Sequence, residues 1–164
     1  RQELAEGIGF QYVGFDELLA ESDVLSVHVP HNDKTHHLVG AEAFGKMKDG
    51  AILVNTARGG IVDPEAMIEA LRSKKLGGAA LDVLEAETAI GEEAELLSRD
   101  YDLDTLKSVV QSHTLLRMEN VIITPHNAFN STEALQRIIS STMENIHAYL
   151  DGRPMNVVNH PESA

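Results

Sequence analysis

Residues 51–64 read Ala-Ile-Leu-Val-Asn-Thr-Ala-Arg-Gly-Gly-Ile-Val-Asp-Pro, and their reading decides the fold. The apolar run 51–54 has the length and composition of a buried strand. Asp63 suits a helix N-cap and Pro64 the first helical position, so a helix is expected over about 63–75. Arg58 then falls just past the carboxyl end of a strand, on a glycine-flanked turn. In open α/β sheets ligands bind at that edge. The planar guanidinium fork suits a two-pronged grip on a carboxylate or phosphate.

Outward from this stretch the pattern repeats. Strands are expected at 10–13, 23–30, 79–84 and 120–124, the last two stopped before Glu85 and at Pro125. Short helices are expected at 17–20, capped by Asp16, and at 41–48. The helix at 63–75 should end before Gly77-Gly78. A long final helix carries Leu135, Ile138, Ile139, Thr142, Met143, Ile146, Tyr149 and Leu150 at the three-four spacing of one buried face. Asn130 is its expected N-cap, Glu133 the capping-box partner, and Asp151-Gly152 its end. Strands alternating with helices imply right-handed crossovers and a parallel, doubly wound α/β sheet of the Rossmann type. The segment 85–119 is too long for a plain loop and reads as an inserted excursion with helix around 103–111. Residues 1–127 are expected to form the distal part of the sheet domain, and 128–164 a C-terminal helix and tail that return to a second domain.

The 164 residues carry a net charge of -13, from 26 acids against 13 Lys and Arg. Nucleic acid and anionic membrane surfaces, which demand a basic face, are poor partners for such a chain. No apolar run approaches the roughly 20 residues of a membrane span. The sequence has no cysteine, which excludes disulfides and fits a reducing, cytoplasmic compartment.

Three residues stand at equivalent places. Arg58 follows strand 51–55, Glu87 follows strand 79–84, and His126 follows strand 120–124 in Thr-Pro-His. In a parallel sheet these ends share one edge and can converge on one cleft. Arginine can hold a carboxylate and polarise a neighbouring carbonyl. Histidine can exchange a proton near neutral pH, and a carboxylate beside it fixes its tautomer. The set suits interconversion of a 2-oxo acid and a 2-hydroxy acid by hydride transfer. Each residue alone has a plainer reading: Arg58 as a surface or capping arginine, Glu87 as part of an acidic solvated loop, His126 as a satisfied structural histidine. Asp82 alone could serve only a local turn. His31, His36 and His37 share one loop, but with no helical i, i+4 pair and no thiolate no metal site is expected there.

Asn-Thr-Ala-Arg-Gly-Gly-Ile-Val-Asp (55–63), Gly-Ala-Ala-Leu-Asp-Val-Leu-Glu-Ala-Glu (78–87) and Asn-Val-Ile-Ile-Thr-Pro-His (120–126) together resemble the signatures of the D-isomer-specific 2-hydroxyacid dehydrogenases, which use NAD. Ser-Val-His-Val-Pro (26–30) and Thr35-His36-His37-Leu38 match the segment near the adenosine half of the cofactor in that family. The resemblance implies that Arg58 binds the substrate carboxylate and carbonyl, His126 is the acid/base and Glu87 its partner. Asp82 would lie near the nicotinamide, with Val29, Pro30, Thr35, Thr56 and Ala57 lining the cofactor alongside Arg58 and His126. Phe129, three residues after His126, resembles the D-lactate dehydrogenase branch and would shape the substrate pocket. The implied ligands are NAD and a small 2-oxo or 2-hydroxy acid, and the implied assembly is a homodimer. NADP stays open, because that choice is read at the end of a strand upstream of Arg1.

The family's Gly-x-Gly-x-x-Gly turn has no counterpart. Gly7-Ile8-Gly9 follows no strand and has Tyr12 at the third glycine position. The chain is therefore expected to be the carboxyl-terminal part of a larger enzyme, an incomplete Rossmann-like sheet that is inactive alone. Some relatives with these signatures are dinucleotide-sensing corepressors rather than enzymes, so an enzyme-like binding protein is the alternative.

Overall fold

The computed structural model describes residues 5, 7–85 and 103–157. Its elements, in chain order, are α1 (Phe15–Glu21), β1 (Val24–Val27), α2 (Ala41–Lys46), β2 (Ala51–Asn55), a 3-10 turn (Gly59–Ile61), α3 (Pro64–Arg72), β3 (Leu76–Leu81), α4 (Leu103–Leu116), β4 (Val121–Ile123) and α5 (Thr132–Leu150). The chain divides into two compact units, Arg1–His126 and Asn127–Ala164.

In the first unit the four strands lie in the order β1-β2-β3-β4. All pairs are parallel, with Val24 beside Ile52, Leu53 beside Ala79, and Ala80 beside Ile122. This is the Rossmann-like α/β sheet the sequence predicts. Alternation along the strands explains the burial. Leu25, Val27, Leu53, Asn55, Ala79 and Leu81 share the packed face, where they meet Phe44, Met47, Ile61, Met67, Leu71 and Leu115. On the other face Val24 is 57% and Ile122 69% exposed.

Local chemistry sets the helix starts. Asp63 Oδ1 accepts from the N–H groups of Glu65 and Ala66 at 2.9 and 3.1 Å, and Pro64 opens α3 as its sequence predicts. Lys107 reaches from α4 to the Glu65 carboxylate in the first turn of α3.

Several expectations are corrected. Residues 10–13 form no strand, and among the described residues no strand pairs with them. Gly14, not Asp16, precedes α1, and its side-chain-free cap makes no capping bond. The helix ends before Gly77-Gly78 as expected, at Arg72, but the strand expected at 79–84 starts earlier, at Leu76, takes in both glycines and ends at Leu81. The reason is close packing: a Cβ on Gly77 would stand 2.5 Å from the Gly50 carbonyl oxygen, so glycine here lets β3 approach the turn before β2. The excursion's helix is longer than expected, Leu103–Leu116.

In the second unit α5 has Ser131, not Asn130, at its N-cap, its hydroxyl accepting from Ala134 N–H at 3.2 Å. The helix ends as predicted: Gly152 has φ +71°, and Arg153 N–H donates to the Ala148 carbonyl in a Schellman-type closure. Its apolar stripe is exposed rather than buried, with Ile139 at 64% and Tyr149 at 73%. No helix among the described residues is long and apolar enough to cross a membrane.

Removing the cap oxygen in Asp63→Ala should destabilise the chain by about 1 kcal/mol. The measurement is the urea midpoint relative to wild type; an unchanged midpoint would mean that Pro64 and the packed face of α3 suffice to start this helix.

Candidate active site at the carboxyl edge of the sheet

The site begins with a buried asparagine. Asn55, the last residue of β2, is 1% exposed. Its side-chain oxygen accepts from Ala57 N–H at 3.0 Å, and its Nδ2 donates to the Arg58 carbonyl at 2.9 Å. One amide thus closes the turn on both sides and throws Arg58 outward. The Asn55 carbonyl in turn accepts from Asp82 N–H at 2.9 Å, which joins the ends of β2 and β3. Asp82 is itself buried at 4% and accepts from the Thr124 hydroxyl, so the end of β4 is drawn into the same network.

The two glycines after Arg58 are set by contact. A Cβ on Gly59 would fall 2.2 Å from the Leu84 carbonyl carbon, and one on Gly60 would fall 2.9 Å from His31 Nε2. The Arg58 turn therefore lies directly against the 84–85 turn that follows β3. His126 is placed by a three-residue turn: its N–H donates to the Thr124 carbonyl across Pro125, at 3.0 Å. His126 has φ +49°, a left-handed conformation uncommon for a residue with a side chain. Such backbone outliers cluster at functional positions.

Two clefts open on this edge. A pocket of about 290 Å³ is lined by His31, Arg58, Gly59, Gly60, Leu84, Glu85 and His126. Beside it a cleft of about 670 Å³ is lined by His28, Val29, Pro30, His31, Ala57 and Arg58. Arg58 borders both, with Nη1 donating to the Ala57 carbonyl at 2.6 Å. The larger cleft has an apolar wall (Val29, Pro30, Ala57) flanked by polar ring nitrogens and a guanidinium. That lining fits part of a NAD molecule, a flat ring flanked by polar groups that orient it.

Of the sequence-predicted residues, the fold brings Arg58 and His126 to one pocket and Val29, Pro30, Ala57 and Arg58 to one cleft. Asp82 and Thr56 line neither among the described residues. The Thr35 hydroxyl donates to the Pro30 carbonyl at 2.6 Å and accepts from Asn32 N–H, so it shapes the 30–35 loop. Phe129 belongs to the second unit and is 55% exposed. Glu87 lies outside the described residues. Asn55, His31 and Glu85 were not singled out by sequence reasoning as site residues. For Asn55 a signal existed, because an amide at a strand end before a turn is an Asx-type closure. For His31 and Glu85 it did not, since only the packing of distant turns brings them there.

With this geometry in hand, comparison with known proteins is direct. Residues 1–128 match the family model described as "D-isomer specific 2-hydroxyacid dehydrogenase, NAD binding domain". The open parallel sheet is that of a nucleotide-binding domain, and the chain belongs to the D-isomer-specific 2-hydroxyacid dehydrogenase family, in its NAD-binding domain. The chain is 43% identical over 144 residues to a D-specific alpha-keto acid dehydrogenase of Enterococcus faecium, which covers 86% of this chain and 42% of that protein. It is similar to the structure of an Aquifex aeolicus D-lactate dehydrogenase complexed with NAD and lactic acid, with TM-score 0.79 and 38% identity over 93% of this chain and 44% of that one. It is also similar to the pyruvate reductase of Chlamydomonas reinhardtii, with TM-score 0.80 and 35% identity over 94% and 46% of the two chains. The chain thus spans less than half the length of each of these relatives.

Replacing Gly59 by alanine should force the Arg58 turn away from Leu84, because the contact is with backbone that cannot rotate aside. A loss of stability of about 1–3 kcal/mol is expected, as for overpacked sites. Thermal melts of Gly59→Ala test this, and a wild-type melting temperature would refute the contact.

Proposed function

We propose that this chain is the distal part of the NAD-binding domain of an oxidoreductase that interconverts a small 2-oxo acid and a D-2-hydroxy acid. The observation that carries the reading is the pocket shared by Arg58 and His126 at the sheet's carboxyl edge. NAD, when bound, supplies or receives the hydride. Arg58 holds the substrate carboxylate and polarises the carbonyl oxygen with its fixed fork. His126 gives the proton to that oxygen in reduction and takes it back in oxidation. Glu87 is read as the carboxylate partner that fixes the tautomer of His126. Val29, Pro30 and Ala57 form the cofactor wall, with Thr35 and Thr56 in the loops that frame it, Asp82 underpins the strand ends nearest the nicotinamide, and Phe129 shapes the substrate pocket in the D-lactate dehydrogenase-like manner. The working protein is read as a cytoplasmic homodimer that includes a Gly-x-Gly-x-x-Gly turn. The 164 residues alone are read as inactive.

The test uses the protein carrying a complete nucleotide-binding domain, assayed with NADH and pyruvate, phenylpyruvate or glyoxylate. Turnover of at least one 2-oxo acid is expected; cofactor binding without any turnover would favour a dinucleotide-sensing binding protein instead. Arg58→Lys should lower kcat/KM by roughly a hundredfold, since one ammonium cannot reproduce the fork. His126→Ala should lower kcat by roughly 100- to 10,000-fold near neutral pH. Near-wild-type kinetics in either variant would remove that residue from the mechanism.

A further inference from the structure

The loop after β1 carries His31, His36 and His37, whose spacing within the loop gives no metal-binding pattern. The fold adds a ligand that spacing cannot supply. Glu85, 48 residues along the chain from His37, places Oε1 3.0 Å from His37 Nε2. A ring nitrogen of His36, a ring nitrogen of His37 and a Glu85 oxygen all lie within 4.8 Å of one another.

The arrangement is held from several sides. The His36 and His37 rings stack with centroids 3.9 Å apart and planes inclined by 22°. His37 has φ +51° and its N–H donates to the Gly60 carbonyl at 2.9 Å, so the backbone at this loop end is pinned to the Arg58 turn. His31 Nε2 stands 3.2 Å from His36 Nδ1. Gly60 leaves the space His31 needs, because a Cβ there would meet its ring at 2.9 Å. Glu85 is placed by the packing of the 84–85 turn on Gly59.

From this we infer that His36, His37 and Glu85 form a binding site for one divalent transition-metal ion of the zinc class. Two imidazoles and a carboxylate are the borderline donor set such ions take, at ligand distances of about 2.0–2.2 Å. Metal binding requires the exposed His36 ring to rotate out of its stack on His37, because stacked rings point their nitrogens in parallel, and the His37–Glu85 hydrogen bond gives way to two metal bonds. His31 then serves as a fourth ligand or as the hydrogen-bond partner that orients His36. Magnesium and calcium, which want oxygen donors, are disfavoured. The ion would tie the 31–37 loop to the turn after β3, and Glu85 also lines the Arg58–His126 pocket, so the site stands at that pocket's rim.

The experiment is titration of the metal-stripped chain with Co²⁺, read by its visible d–d bands, followed by displacement with Zn²⁺. One Co²⁺ per chain with a tetrahedral-type spectrum, lost when Zn²⁺ is added, is the expected result. His37→Asn keeps a residue that tolerates the left-handed backbone, and Glu85→Gln keeps the shape of the carboxylate. Each should weaken binding roughly tenfold or more, while His147→Gln on α5 should leave it unchanged. Zn²⁺ should also raise the melting temperature of the wild type, and less so that of Glu85→Gln. Circular dichroism confirms that the variants fold, and the exposed His36→Gln provides a second route to the same loss. Absence of a one-to-one site, or binding that survives His36→Gln, His37→Asn and Glu85→Gln alike, would overturn the proposal and leave His37–Glu85 as a simple hydrogen-bonded pair.

Discussion

The site depends first on the Asn55 side chain. A buried amide must have its hydrogen bonds met, and here both ends are met by the backbone of the next three residues. This makes the turn after β2 an extension of the core rather than a surface loop. Arg58 is exposed, yet the backbone that carries it is held by the buried Asn55 amide. From the same strand end the Asn55 carbonyl reaches Asp82, and Asp82 reaches Thr124. Three strand ends are therefore tied in series, two of them through the buried Asn55 and Asp82. Losing one partner there leaves another unsatisfied, which costs more than the hydrogen bond itself contributes.

Above that buried row, contact distances do the positioning. Gly59 and Gly60 allow the Arg58 turn to meet Leu84 on one side and His31 on the other. A small pocket is left beside Arg58 and His126, and an apolar-walled cleft beside Arg58 and Pro30. The chemistry that follows from these two spaces is polar on one side and flat and apolar on the other. This division suits a reaction in which a charged acid meets a planar ring.

Much of this was legible in the sequence, and the reasons are local. The strand 51–55, the Asp63-Pro64 helix start and the Thr-Pro-His turn each carry their signal within a few residues. Arg58 and His126 were found because strand ends in a parallel sheet share an edge. What the sequence did not disclose is what only packing creates. Gly77-Gly78 reads as a break until the Gly50 carbonyl is seen to press on it. Residues 10–13 have strand composition but no partner. The α5 stripe has the spacing of a buried face, yet periodicity names only the face that is apolar and not what covers it. Glu85 meeting His37 depends on two turns docking from distant parts of the chain. Glu87, which sequence frames single out, lies beyond the described residues.

The strand order has one more consequence. Because neighbours in space are neighbours in sequence, progress along the chain becomes progress across the cleft, from Val29 to Arg58 to Glu85 to His126. Each crossover is anchored at both ends by its strands, and loop closure grows costly only slowly with length. A longer connection between two strands therefore need not change the order of groups a ligand meets. The edge is in this sense modular: its functional groups are inherited strand by strand, while the connections between them remain open to variation.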